Sequence, residues 1–297
     1  MPSIRLVDTS ENEIVKIRPE IPNQATDSIA CTEFNLGWPE HREAVYERAG
    51  FSGSIDLTSL HGPRTISFDL RLFDTSTRTK EQTLDILMAW SQAGRRLYVY
   101  ARRDGWIEER RMLVRASTLS CSSTRMSALM FTTSLSFICP SGEMESAEVT
   151  ETIINAAAGT GGGIGLSFPI SWSSTGIFFE PAEGQAGSNS GYITNYGNTM
   201  TPVYMVLSGR CDNPTIYNRT TGKQLTFKGL KLTSTESLVI DTETGAVVAG
   251  SASYYSKIDW TYSSWWGLAP GENKIELAAS NTDENCKLTI TSRSRWT

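Results

Sequence analysis

The sequence predicts a mainly β protein in two domains: an N-terminal β-sandwich or partial barrel with one helix, then a C-terminal antiparallel β-sandwich. Three observations carry this. Apolar residues recur at every second position in the first half, a single stretch switches to helical spacing, and short β-type segments separated by turn residues fill the second half. A length of 297 residues accommodates two domains, and 39% hydrophobic with 20% charged residues is a globular composition.

In the first half, Ile66, Phe68, Leu70 and Leu72 alternate with Ser67, Asp69 and Arg71, the pattern of a half-buried strand. The helix follows at about 80–93. Thr79 and Gln82 form a capping box, Leu84, Ile86, Leu87, Met88 and Trp90 supply an apolar face that reads as core, and Gly94 suits the left-handed residue after the helix. Leu97–Tyr100 and Met112–Val114 then read as strands, joined through Arg102, Arg103, Asp104, Gly105 and Trp106, with Asp-Gly as the turn signal. Leu129–Ile138, with Phe131, Thr133, Leu135 and Phe137 on one side, is a further strand.

The domain boundary is placed near residue 148. Residues 1–148 form the first domain, 149–165 a linker rich in glycine from Gly159 to Gly165, and 166–297 the second domain. The second domain shows short β segments at Leu166–Trp172, Tyr192–Asn195, Val203–Leu207, Leu225–Phe227, Leu238–Ile240, Ala246–Val248 and Leu288–Ile290.

Composition also excludes functions. The net charge of −5 is spread over both halves, without the basic excess that stable nucleic-acid binding needs. No apolar run reaches the length of a membrane span, and the start of the sequence lacks an apolar signal core. Five widely spaced cysteines without a CxxC pair argue against a zinc site and against a disulfide framework, so they are expected to be buried free thiols in a chain folded in a reducing cytoplasm.

No catalytic set emerges, and no metal or cofactor is expected. His41 and His61 are the only histidines, and neither has ligands at metal spacing. The glycine run 159–165 fails the dinucleotide fingerprint, with Ile164 or Leu166 where glycine is required. Asp241–Gly245 lacks the later ligands of a calcium loop and fits a hairpin turn instead. Glu108-Glu109 and Asp283-Glu284 read as solvated carboxylates. The mixed-charge hairpin carrying Arg102, Arg103, Asp104, Glu108, Glu109, Arg110 and Arg111 is the candidate contact surface between subunits, set against its being merely a solvated hairpin.

Three stretches are distinctive. These are Ile193–Asn198, Ser208–Asn218 with Asn213-Pro214 at its centre, and Trp265-Trp266-Gly267-Leu268-Ala269-Pro270-Gly271-Glu272-Asn273. Pro270-Gly271 fits a type II turn, and adjacent tryptophans on an extended chain face opposite sides, one toward the core. Together with Phe51–Asp56 and the strand from Arg64, they resemble the distal tail proteins of long, non-contractile bacteriophage tails. That resemblance implies a non-enzymatic N-terminal ring domain and a galectin-like C-terminal sandwich. It implies a homo-oligomer, a hexameric ring at the virion tail tip, between tail-tube protein and tail-tip hub, with a channel for DNA and tape-measure protein. The alternative is a host-surface carbohydrate-binding module using Tyr254, Tyr255, Trp260 and Tyr262; the second half has no histidine, which galectin sugar sites commonly use.

Overall fold

The alternation that begins at Arg64 becomes the longest inward-facing row of the first unit. Arg64, Ile66, Phe68, Leu70 and Leu72 are all buried, while their sequence neighbours point outward. This computed structural model describes residues 3–17, 29–47, 52, 54–122, 130–156 and 189–297. The glycine run and the Leu166–Trp172 segment lie outside the described residues.

The described chain divides into two compact units, Met1–Glu148 together with Arg295–Thr297, and Val149–Ser294. The first contains β1 (Ser3–Asp8), β2 (Glu13–Ile17), β3 (Ile29–Asn35), β4 (His41–Glu47), β5 (Ser54–His61), β6 (Arg64–Phe73), α1 (Lys80–Trp90), β7 (Arg96–Arg102), β8 (Arg110–Ser122), β9 (Met130–Cys139) and β10 (Met144–Ser146). The second contains β11 (Thr150–Asn155), β12 (Ser190–Asn195), β13 (Val203–Ser208), β14 (Cys211–Asn218), β15 (Lys223–Thr226), β16 (Lys231–Leu232), β17 (Ser237–Asp241), β18 (Ala246–Ala249), β19 (Ala252–Ser253), β20 (Gly271–Ser280) and β21 (Lys287–Ser292). The last strand, β22 (Arg295–Trp296), pairs with β10 and so belongs to the first unit.

The first unit is built on one sheet in the order β2-β1-β7-β8-β9-β6-β3, with β10 added on β8 and β22 on β10. Its two end strands, β2 and β3, approach each other, so the sheet curls toward closure as a partial barrel. Inside lie Leu6, Ile17, Phe68, Leu97, Val99, Val114 and Phe137, joined by Trp296. β4 and β5 form a separate two-stranded sheet that sets His41 opposite His61, with ring centroids 5.3 Å apart.

Both halves of the capping box are present. The Thr79 hydroxyl accepts from the Gln82 backbone N–H, and the Gln82 side chain accepts from the Thr79 N–H. The helix stops at Trp90, three residues earlier than expected, because Ser91 closes it with its N–H on Leu87 and its hydroxyl on the same carbonyl. Gly94, at φ +84°, serves the turn into β7 rather than the helix end itself. The buried stripe is Lys80, Thr83 and Leu87, with Leu84, Ile86 and Trp90 packed partly against the core, and Met88 exposed. The apolar face is thus narrower than the composition of the helix suggests.

The second unit is a sandwich. One sheet runs β11-β21-β13-β17-β18-β19, and the other β12-β20-β14-β15 with β16 on β14. Alternate residues of both sheets, among them Met205, Leu207, Ile240 and Ile290 from the first and Ile216, Leu225, Ile275 and Leu277 from the second, share one core. Thr150–Asn155, expected to lie in the linker, is instead a strand of this sandwich. It pairs along its whole length with β21, and Ile154 is buried, which ties the segment down. Asp241–Gly245 does form the hairpin turn between β17 and β18, its Asp241 carboxylate accepting from the Glu243 N–H at 2.9 Å and the Thr244 hydroxyl at 2.7 Å. Asp283 is a turn residue too rather than a solvated carboxylate, accepting from the N–H groups of Arg210 and Asn285 at 3.2 Å each. Cys31, Cys139, Cys211 and Cys286 are buried free thiols, but Cys121, near the end of β8 opposite Thr133, is exposed.

Candidate interaction site

The connection between β7 and β8 is longer than a tight hairpin. Arg103 and Trp106 close a turn through Trp106 N–H to the Arg103 carbonyl at 3.1 Å, with Gly105 at φ +87°, and strand pairing resumes only at Ala101 and Arg110. This presents Ile107 to solvent at 96% exposure, the most exposed of the large apolar side chains in the described residues. Beside it, Arg5, Tyr100, Arg102, Glu108, Glu109 and Glu148 border a depression of about 560 Å³.

Of the seven charged residues singled out, Glu109, Arg110 and Arg111 are held by contacts inside the chain. Glu109 takes the Arg5 guanidinium side-on, with Arg5 Nε donating to Oε1 at 3.2 Å and Nη2 donating to Oε2. That bond, more than any other contact, holds the Arg5 guanidinium above its ordinary pKa. Arg111 donates Nε and Nη2 to Glu145 at 3.3 Å each and lies over the Tyr98 ring at 4.5 Å. Glu145 also receives Arg295 Nη2 at 3.0 Å, while Glu143 receives Arg295 Nη1 at 3.2 Å, so β8, β10 and β22 are stitched together by charge as well as by their ladders. Arg110 is held between two indoles, 4.0 Å from the Trp106 centroid and 3.9 Å from that of Trp296. Burial pushes its pKa down to about 10, against the pull of Glu108. Glu108 is half-buried, and burial raises its carboxyl.

Arg102, Arg103 and Asp104 are exposed at the loop, with Arg103 near the rings of Phe34 at 5.6 Å and Trp106 at 5.8 Å. The expectation of solvated carboxylates therefore fails for Glu109 and in part for Glu108. Sequence spacing could not show this, since Arg5 is more than a hundred residues away.

In the second unit, three buried asparagines hold the distinctive stretches. Asn195 donates to the carbonyls of Thr199 at 2.8 Å and Leu268 at 3.1 Å. Asn218 donates to the Gly267 carbonyl at 3.2 Å and accepts from the N–H groups of Thr220 and Thr221. Asn273 donates to the carbonyls of Ala269 at 2.7 Å and Gly271 at 3.0 Å and accepts from the Ala269 N–H. Gly271, at φ +93°, takes the positive value that the Pro-Gly turn requires. A Cβ on Gly267 would sit 2.4 Å from the Thr201 carbonyl oxygen. Trp266 is core at 3% exposure, whereas Trp265 turns outward onto Tyr255 and Trp260, with centroids 6.4 and 5.9 Å away. Asn213, at φ +47°, and Pro214 sit in a bulge of β14 opposite β20. With Asn218 fully buried, the Asn218-Arg219-Thr220 sequon is no glycan acceptor in the folded chain.

Residues 196–296 match the family model described as siphovirus-type tail component, C-terminal domain. The chain resembles the siphovirus distal tail proteins. The crystal structure of the Dit protein (gp 19.1) of phage SPP1, described as a paradigm of hub adsorption apparatus in phages infecting Gram-positive bacteria, aligns over 99% of both chains with a TM-score of 0.63 at 12% identity. A chain of the phage p2 baseplate in its strontium-activated conformation aligns over 99% of this chain and 98% of that one, with a TM-score of 0.51 at 10% identity. At such identities these likenesses establish a shared fold. A comparison with curated proteins gives no match. Among the described residues no cluster of His, Cys, Asp and Glu could hold a metal ion, and no helix is long and apolar enough to cross a membrane.

Proposed function

We propose that this chain is a structural component of a bacteriophage tail, a non-enzymatic adaptor that closes into a six-subunit ring at the tail tip. The observation that carries this reading is the family match over residues 196–296, which contains both the Asn213-Pro214 bulge and the Trp265–Asn273 corner. The Dit-like fold along the whole chain supports it. In this reading the first unit, residues 1–148, makes the ring, which joins the tail tube above to the hub and host-recognition apparatus below. Its centre is left open for DNA and the tape-measure protein. The ring is assembled in the host cytoplasm and resides in the virion tail.

The β7–β8 loop is the proposed ring contact. With Glu109, Arg110 and Arg111 engaged internally, the contact is assigned to the exposed Arg102 and Ile107, with Arg103 next to them. A closed ring requires a heterologous contact repeated around one axis. Native mass spectrometry and low-resolution imaging of the purified protein test both points. A ring with a central hole is expected, and Ile107→Asp should disperse it while leaving the monomer folded. A stable monomer at high concentration, also in the presence of tail-tube protein, contradicts the ring.

A second reading, a carbohydrate-binding surface, is favoured by one observation. Tyr255 and Trp260 pack at 5.4 Å beside Trp265, with Trp260 43% and Tyr262 68% exposed. The rings are tilted against one another, however, and so spend part of their faces on each other. Binding to host cell walls that is lost in Trp260→Ala would favour this reading.

A further inference from the structure

Arg64 occupies the first inward position of β6, in the row otherwise made of Ile66, Phe68, Leu70 and Leu72. It is 1% exposed, and neither its Nε nor its Nη2 has a hydrogen-bond partner. Burial presses its pKa down, with the Cys139 thiol pulling weakly the other way. Arg110, within electrostatic reach, is a second cation, and its Nε also lacks a partner. Among the described residues no carboxylate bonds to either guanidinium, although buried charges are almost always paired.

The unused edge of Arg64 has a specific shape. Nε–H and the outer Nη2–H point the same way, spaced to meet two oxygens of one planar group. The molecule shows that edge in use, since Arg5 takes Glu109 with the same two nitrogens. We propose that Arg64, with Arg110 beside it, forms an internal site for a small free oxyanion, a carboxylate, phosphate or sulfate, gripped side-on by the Arg64 Nε/Nη2 edge. The burial of Arg64, 1% exposed, favours a small diffusible anion over an acidic side chain brought by another protein. The indoles of Trp106 and Trp296 cover the faces of the Arg110 guanidinium and leave its edge for the anion. A bound anion would tie the start of β6 to the start of β8, steadying the end of the sheet that carries the 103–109 loop.

The test is thermal unfolding of the full chain, titrated with sodium phosphate, sulfate or acetate against chloride at matched ionic strength. At about 100 times Kd, a saturable rise in Tm of roughly 5 °C is expected with the oxyanions and none with chloride. Arg64→Met should abolish the saturable rise and raise Tm in anion-free buffer, since it removes an unpaired buried charge. Arg64→Lys, which keeps the charge but loses the fork, should weaken the response at least tenfold and serves if the methionine variant does not fold. A wild-type response to oxyanions equal to that of chloride overturns the proposal, as does an undiminished rise in either variant. A response seen only when a second tail protein supplies the carboxylate would replace the free anion with a protein-borne one.

Discussion

The indole of Trp296 covers one face of the Arg110 guanidinium, with the guanidinium carbon 3.9 Å from the ring centroid. The pair joins the last strand of the chain to the start of β8, and Trp296 is also part of the first unit's core. Removing the indole takes away buried apolar area and one of the two rings that hold a desolvated cation. Trp296→Ala is expected to cost about 3 kcal/mol, read as a lower urea midpoint for the first unit. A midpoint unchanged from wild type would show that the return strand does not support that unit.

Gly267 cannot accept a side chain, because its Cβ would lie 2.4 Å from the backbone oxygen of Thr201, where no flexible group can give way. Gly267→Ala should destabilise the second unit by about 1–3 kcal/mol through overpacking. Gly222→Ala is a useful contrast: it meets nothing within 4 Å, and its only burden is φ +70°. Differential scanning calorimetry should show the larger loss at Gly267.

Asn273 makes three hydrogen bonds to the backbone of the corner it closes, and it is fully buried. Asn273→Ala leaves two carbonyls and one N–H short of a partner, an expected loss of about 2–4 kcal/mol. Asn273→Asp should be almost as harmful, because its carboxylate would face the Ala269 and Gly271 carbonyls without a donor. Equilibrium unfolding of both variants decides it, and near-wild-type stability of the aspartate variant would refute the donor role.

Thr79→Ala removes the side-chain half of the α1 capping box and should cost about 1 kcal/mol. Thr79→Ser should restore most of it. Chemical denaturation monitored by circular dichroism gives the comparison.

Acid should weaken the fold through carboxylates whose folded pKa values are depressed. Asp74 accepts from the Lys80 backbone N–H and ammonium, Glu236 from the Thr233 N–H and hydroxyl, and Glu276 from the Arg219 guanidinium. Such groups contribute stability that is fully present above their unfolded values and drains away as pH falls through the lower, folded ones. Combining Asp74→Asn, Glu236→Gln and Glu276→Gln should flatten the fall in stability below the ordinary carboxylate range. An unchanged slope between pH 5 and pH 2 would mean that other groups govern it.

Features set by neighbours in sequence were readable in advance. The α1 cap spans four residues, the Asp241–Gly245 turn five, and the β6 row declares itself by alternation alone. The Trp265–Asn273 stretch was legible as a turn with one buried tryptophan, and Trp266 is that residue. What sequence reasoning lost depends on distant partners. Asn213-Pro214 reads locally as a break, yet β14 runs through it because its ladder with β20 continues past the extra residue, which bulges out of β14. Thr150–Asn155 looks like linker until β21, more than 130 residues later, supplies its ladder. The charge of the β7–β8 connection is plain in the sequence, but which of its charges are already engaged is not, since Arg5, Glu145 and Trp296 come from three separate parts of the chain. The one sign of Arg64's burial in the sequence is its place at the head of an apolar row.

β22 gives the molecule an order of completion. Residues Val149–Ser294 are interpolated between the bulk of the first unit and the two residues that finish its sheet. On the ribosome, β1 through β10 can collapse early, but Arg110 must wait for its second indole, and Glu145 for Arg295, until the sandwich has been synthesised. The β7–β8 loop flanks that late joint. A chain interrupted in synthesis would therefore carry an unfinished first unit, lacking the strand that caps β10 and the indole that covers Arg110.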